Sequence, residues 1–421
     1  MTSFALDPES TPVEFEDRVA VISHSHPSVS KGGAEIAAYT LFKGYMSAGV
    51  DAIFVTACSE NDRAKLALES SQEHAIFYRP ERYDQFYQLG FSELGQELNN
   101  ILRAHGTTVA NFHHFLNLGL GALRGLDTGR PLKKVLTFHE FLSICHNHGQ
   151  MITRPAQLLC DQSSPSACTT CFPELTRQQF ALRKEQFLET YGDFEGFVSP
   201  SEFLAKRYVE WGLPAKRISV IENGLAHIPE RSFVSMDSTK TTWTFGYFGQ
   251  VNPFKGVDTL LAAAEMLARD VKSRVQIRIR IHGNMIGLSE EFLKKFRNAQ
   301  DRHIIDYGGA YNNASVGKLM ADCDYLVVPS RWWENSPVVI QEAYAVGRPV
   351  ICSGIGGMAE KVVDGVAGLH FRVGDHVDLV RVMKAAANPD QFTKLQAGIP
   401  FPFDGTQMAL RYLSFFQKLG D

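Results

Sequence analysis

No run of apolar residues in this chain approaches the roughly 18 that a membrane-spanning helix needs, which sets aside a helical membrane protein. Basic residues are not in excess either. The 42 Lys and Arg are outnumbered by 46 Asp and Glu, for a net charge of -4, so neither nucleic acid nor a strongly anionic surface is an expected partner. The opening stretch MTSFALDPESTPVEFED is acidic and has no apolar core of the kind a signal peptide carries, so a cytoplasmic location with reduced thiols is expected. Cysteine is scarce, at seven in 421 residues, and its use is uneven. What remains is an ordinary globular composition, 44% hydrophobic and 21% charged, with a length that suits two or three domains.

Apolar, β-branched segments alternate with helix-patterned ones along most of the chain. RVAVISHSH (18–26) reads as a first strand, followed by a Gly32-Gly33 turn and a helix from Ala34 to about Ala48. DAIFVTAC (51–58), HAIFYRP (74–80), a helix from about Phe91 to Ala104, TTVANFHHF (107–115) and KKVLTF (133–138) continue the alternation. This order predicts doubly wound parallel sheets with helices on both faces. Ligands of such sheets bind beyond the carboxyl ends of the strands, which makes His113, His114, His139 and Glu140 candidate cleft residues. The polar, proline-bearing stretch from Ala226 to Thr242 reads as a linker. A second domain then begins with WTFGYFGQ (243–250).

The most informative stretch is DYLVVPSRWWENSPVVIQEAYAVGRPV (324–350), which reads as strand, polar loop, helix and strand. Ser336 suits an N-cap and Pro337 the first helical position, whose missing N–H would have had no partner. The unpaired amides of that first turn, at the positive end of the helix dipole, suit an anion such as a pyrophosphate. Glu342 lies inside the helix in the apolar context VVIQEAYA, where an unpartnered carboxylate costs several kcal/mol, so it needs donors such as a sugar diol. Lys255 sits at a strand-to-helix turn in VNPFKG, where its ammonium can neutralise phosphate charge.

Glu334, seven residues, then Glu342, with Ser336-Pro337 between them and Gly347 and Pro349 after them, resembles the signature of the retaining glycosyltransferases of family 4, which have the GT-B fold. Gly32-Gly33-Ala34-Glu35, the strand-end His139 and Lys255 resemble further motifs of that family in the same order. The resemblance implies two Rossmann-like domains facing a central cleft: residues 1–225 on the acceptor side, a linker at 226–242, a nucleotide-sugar domain at 243–402, and a helix at 403–421 crossing back. It implies His139, Lys255 and Glu334 as catalytic residues. Donor-binding residues would be Gly32, Gly33, Gln250, Lys255, Tyr311, Arg331, Asn335, Ser336, Pro337, Val338 and Glu342. The expected partners are a nucleotide-sugar donor and a saccharide or lipid-linked saccharide acceptor, the latter requiring peripheral contact with a membrane; no cofactor is expected to be required for catalysis. The family usually has an arginine where Gln250 stands, so either Arg331 or another residue supplies a second cation, or Lys255 and backbone amides act without one. The alternative functions are a nucleotide-sugar epimerase or phosphorylase of the same fold and a non-catalytic nucleotide-sugar binder.

Four cysteines, Cys145, Cys160, Cys168 and Cys171, fall within one segment of about 141–175 that holds Pro, Ser, Gln and Gly in place of a periodic pattern. Such a loop buries little apolar surface and needs another source of order, which four thiolates around one ion would provide. The C-x2-C pair matches metal knuckles, while the other spacings fit no zinc template closely. A structural zinc is expected ahead of an iron–sulfur cluster, with free thiols and disulfides as the alternatives. A subset of the resembled family has a comparable insertion. Cys58, Cys323 and Cys352 read as core residues. The segment 176–190 has helical periodicity and would cover the sheet or touch anionic lipid.

Overall fold

The computed structural model describes Phe15 and residues 17–419, apart from 90–91, 230, 232–236 and 271–272. The acidic N-terminal stretch before Phe15, the start of the helix expected at Phe91 and residues 230 and 232–236 of the expected linker lie outside the described residues. Among the described residues the strands form two sheets, of seven and six strands. The first contains β1 (Val19–Ser23), β2 (Ala52–Ser59), β3 (Glu73–Tyr78), β4 (Val109–Phe112), β5 (Lys133–Thr137), β6 (Gly196–Ser199) and β7 (Ile218–Val220). The second contains β8 (Thr242–Phe248), β9 (Gln276–His282), β10 (Asp306–Gly309), β11 (Tyr325–Val328), β12 (Val350–Ser353) and β13 (Gly368–Phe371). Their orders are β3-β2-β1-β4-β5-β6-β7 and β10-β9-β8-β11-β12-β13, and each pairing is parallel.

Strand chemistry explains why both faces are covered. In β1, Ala20 and Ile22 join a core with Leu98, Leu102, Phe187 and Tyr208, while Val19 and Val21 join another with Leu41, Phe42, Met408 and Tyr412. Successive side chains of a strand point to opposite faces, so an uninterrupted apolar strand must be packed on both. β11 divides in the same way, with Tyr325 and Val327 on one side and Leu326 and Val328 on the other. The helix Arg177–Gly192 opens with a capping box at Thr176 and buries Phe180, Arg183, Phe187 and Tyr191. It therefore covers the first sheet. The C-terminal helix Gly405–Lys418 also packs on the first sheet, beside the helix Gly33–Ser47. The approach is close enough that a Cβ on Gly44 would stand 2.0 Å from the Gly405 carbonyl oxygen.

In each sheet the strand order reverses once where consecutive crossovers run in opposite directions, between β1 and β4 and between β8 and β11. Beyond the carboxyl ends of those strands the loops diverge and leave a crevice. The loops that leave the reversal points carry His24, His113, Lys255 and Glu334.

Candidate functional site

Lys255 follows β8 and is held in a tight turn by Asn252, whose Oδ1 accepts from the Phe254 and Lys255 amides at 3.0 and 3.1 Å. Gly256 then has φ of +70°, and a Cβ there would lie 1.8 Å from the Pro329 carbonyl oxygen. Only glycine allows both the left-handed turn and this approach. The result is that the Lys255 loop lies against the loop after β11, where Lys255 Nζ meets Glu334 Oε1 at 2.6 Å.

Glu334 Oε1 also accepts from Ser330 Oγ and Trp332 Nε1, both at 2.7 Å. Burial alone would raise the Glu334 pKa, but the Lys255 ammonium and these donors outweigh it and hold the carboxyl below its ordinary range. All three bonds fall on one oxygen. Oε2 has no protein partner among the described residues and remains able to accept from a hydroxyl.

Glu342 behaves differently. It lies in the helix Val338–Ala345 and makes no hydrogen bond or ion pair among the described residues. Burial pushes its pKa up to about 7. It lines a cavity of about 170 Å³ between the two domains, together with Ile36, Asn223, His227, Lys318 and Val338. Tyr311 is close enough for the Glu342 charge to add to burial in raising its phenol pKa. A wider depression of about 530 Å³ along the helix Glu290–Asp301 is lined by side chains of that one helix and gathers no converging groups.

The helix cap differs from the sequence expectation. The helix starts at Val338 with Pro337 as its cap residue, and no side chain caps it. The Ser336 hydroxyl instead accepts from Lys361 Nζ at 2.9 Å. Lys361 is buried and paired with Glu222 Oε1 at 2.6 Å, which is why Ser336 is drawn away from the helix amides. Those amides are thus left to a ligand or solvent, because Pro337 has no side-chain acceptor. Arg331 is exposed and pairs with Asp258 at 2.8 Å. Gln250 is exposed.

From the first domain, Gly32 caps the helix Gly33–Ser47, and a Cβ on Gly32 would fall 2.4 Å from Glu35 Oε2. Burial would raise the Glu35 pKa, but His24 and Ser30 bring it down to about 2. His139 stands at the end of β5, its Nε2 2.9 Å from His113 Nδ1. Burial, then neighbouring His114, lowers its pKa to about 3, so the ring is neutral. The His139 backbone oxygen accepts from Asn335 Nδ2 of the other domain at 2.9 Å. This bond brings the His139 strand end and the Glu334 loop to opposite sides of one crevice.

Several further residues bridge the two domains. Trp333 Nε1 donates to the Cys160 carbonyl at 3.1 Å, and the Arg207 guanidinium stacks over Trp333 and Phe203. The Trp332-Trp333 pair in an otherwise polar loop was the available signal, since two exposed indoles call for cover. Glu360 accepts from the Glu202 and Phe203 amides at 2.8 and 2.7 Å, capping a helix of the opposite domain, and Gln341 Nε2 donates to the Asn223 carbonyl at 2.5 Å.

The cysteine-bearing loop is ordered around a short turn in which Ile152 bridges Leu159 and Cys160 N donates to Met151 O. Cys168 and Cys171 are three residues apart on the helix Pro165–Cys171. The thiols of Cys145, Cys160 and Cys168 are pushed up in pKa chiefly by burial, and neighbouring thiols of the loop add to it. Among the described residues, however, no group of three or more His, Cys, Asp or Glu side chains is arranged to hold an ion. The donor set suits a thiophilic metal, while the side-chain arrangement is not a finished coordination shell. Cys58 and Cys352 are buried in β2 and β12, and Cys323 is buried just before β11.

Two doubly wound domains facing one cleft, with loops from both reversal points converging across it, define the GT-B fold. A family model described as Glycosyltransferase Family 4 matches residues 31–227, and one described as Glycosyl transferases group 1 matches residues 230–394. Between them the models take in both domains, and the chain belongs to the family 4-type glycosyltransferases. It is similar to the lipopolysaccharide 1,2-N-acetylglucosaminetransferase of Salmonella typhimurium, at 28% identity over 41% of this chain and 48% of the relative. It is also similar to the D-inositol 3-phosphate glycosyltransferase of Geodermatophilus obscurus, at 32% identity over 33% of this chain and 32% of the relative. These matches span less than half of either relative's own length. Among solved structures, Anabaena Alr3699/HepE in complex with UDP superposes with a TM-score of 0.68 at 17% identity, covering 95% of this chain and 100% of that one. Sucrose-phosphate synthase from Thermosynechococcus elongatus gives 0.70 at 16% identity, covering 96% and 99%. Among the described residues no helix is long and apolar enough to cross a membrane.

Proposed function

We propose that this protein is a retaining glycosyltransferase that moves a sugar from a nucleotide-sugar donor to a saccharide or lipid-linked saccharide in cell-surface glycan synthesis, at the cytoplasmic face of a membrane. The observation that carries this reading is the meeting of Lys255, Glu334 and the open helix start at Val338 with His139 of the other domain, joined through the Asn335 contact. The donor diphosphate would lie at the Val338 amides and take the Lys255 ammonium, with Glu342 accepting from the ribose hydroxyls. Its first-choice nucleotide is UDP, because a structural neighbour was solved with UDP and UDP-glucose. Glu334 Oε2 and His139 would orient the transferred sugar. Stabilising the charge that develops on the leaving diphosphate supplies the main catalytic effect. As the sugar–phosphate bond breaks, the acceptor hydroxyl attacks from the leaving-group face and a phosphate oxygen takes its proton, so configuration is retained. The four-cysteine loop would close around a structural zinc, which would order the segment that meets Trp333 and take no part in the transfer.

The test is calorimetric titration with UDP, UDP-glucose, UDP-N-acetylglucosamine and GDP-mannose, followed by turnover of whichever sugar nucleotide binds. Glu342→Ala and Lys255→Ala should each lower turnover at least about a hundredfold in protein that circular dichroism shows to be folded. Wild-type rates in both variants would overturn the assignment.

A further inference from the structure

Behind His139 runs a chain of hydrogen bonds that ends on the C-terminal helix. Tyr412 OH lies 3.2 Å from Thr137 Oγ1, Thr137 Oγ1 donates to Asn111 Oδ1 at 3.1 Å, and Asn111 Nδ2 lies 3.2 Å from His113 Nε2. His113 Nδ1 then lies 2.9 Å from His139 Nε2, with the two rings stacked at 5.2 Å and 27°. Asn111, His113, Thr137 and Tyr412 are all at most 1% exposed, so water does not interrupt the chain.

The bonds have a direction. The Asn111 oxygen faces Thr137 and its nitrogen faces His113, so His113 Nε2 is an acceptor. A neutral imidazole has one N–H, which in His113 must then be on Nδ1. That N–H points at His139 Nε2, which becomes the acceptor in its turn and leaves the single proton of His139 on Nδ1. Nδ1 is the ring nitrogen of His139 that has no protein partner among the described residues.

We propose that His113 is a positioning residue that fixes His139 in its Nδ1–H tautomer, so that His139 meets the donor sugar as a hydrogen-bond donor and does not act as a base. The inference rests on the proposed sugar-transfer role of the cleft and adds the direction of that one contact. A sugar hydroxyl or ring oxygen facing Nδ1 would be an acceptor in this arrangement. The tie to Tyr412 links the C-terminal helix, far along the chain from β5, to this histidine pair.

The test is two-bond 1H–15N correlation of the full-length protein labelled with 15N-histidine, with the His139 signal assigned by its loss in His139→Gln. His139 should show Nδ1 protonated and Nε2 unprotonated in the wild type. In His113→Leu, where the directing donor is gone, that preference should be lost. His113→Asn, whose amide can donate from the Nδ1 position, should restore it. With the sugar nucleotide that binds, kcat should fall about tenfold in His113→Leu at nearly unchanged donor KM and recover to within about threefold in His113→Asn. Finding His139 protonated on Nε2 in the wild type, or still on Nδ1 in folded His113→Leu, would overturn the proposal. The tautomer is read without turnover, so its failure is separable from a failure of the transferase assignment.

Discussion

Glu342 offers the sharpest test of how the cleft is built, because it is a carboxylate placed where the folded protein alone does not satisfy it. Its pKa of about 7 compares with an ordinary 4.5, and burial is the cause. At about 1.4 kcal/mol per pKa unit this difference of about 2.5 sets a ceiling of ~3.5 kcal/mol on the destabilisation. Because the side chain is only partly buried by surface area, about half of that is the better expectation. The sign follows from proton linkage. The folded form holds its proton more tightly, so the penalty is absent below about pH 4.5, grows as pH rises through 7 and is complete above it. The perturbation is Glu342→Gln, which keeps the shape and removes the charge. Thermal unfolding of the apo protein should give similar midpoints for variant and wild type at pH 5. At pH 8 the variant should be more stable by about 1–2 kcal/mol, or roughly 3–6 °C for a domain of this size. UDP should act in the opposite sense, stabilising the wild type more than the variant and releasing a proton near pH 7 as the ribose hydroxyls donate to Glu342. Identical pH dependence in variant and wild type would refute the claim that the carboxylate is held unpartnered in the apo cleft.

Lys255→Met should destabilise the apo protein by about 2–3 kcal/mol because it strands the Glu334 carboxylate, and adding Glu334→Gln should recover most of the loss. Strictly additive effects in chemical denaturation would show that the pair is not coupled. Protein purified without oxygen should contain about one zinc per chain by elemental analysis, and Cys168→Ser with Cys171→Ser should remove it and lower the thermal midpoint. Less than about a tenth of an equivalent in the wild type would dismiss the ion.

Much of the fold was legible because a parallel strand in the middle of a sheet must be apolar on both faces and a packed helix on at least one, so VAVIS, YLVV and VVIQEAYA announce their own surroundings. Lys255 was likewise marked by its place at a strand-to-helix turn, and Glu334 by its spacing from Glu342 in the resemblance to the family. The assignment of Ser336 as a cap failed because local propensity cannot register Lys361, 25 residues away, competing for the same hydroxyl. The charge of Arg331 was open from the sequence for the same reason: its partner Asp258 is 73 residues distant.

The resemblance to the family supplied the two facing domains, and periodicity determined, without coordinates, that parallel strands alternate with helices and that a carboxylate stands inside an apolar helix behind a polar loop. It could not determine which loops meet, because a face is a property of one element while a contact is a property of two. Only the tertiary structure set Trp333 on Cys160, Asn335 on His139, and Tyr412 at the far end of the chain of bonds behind that histidine. These contacts join residues separated by 173 and 196 positions, or 275 between Thr137 and Tyr412, where closing the chain is decided by the summed packing of both domains and leaves no local trace in the sequence.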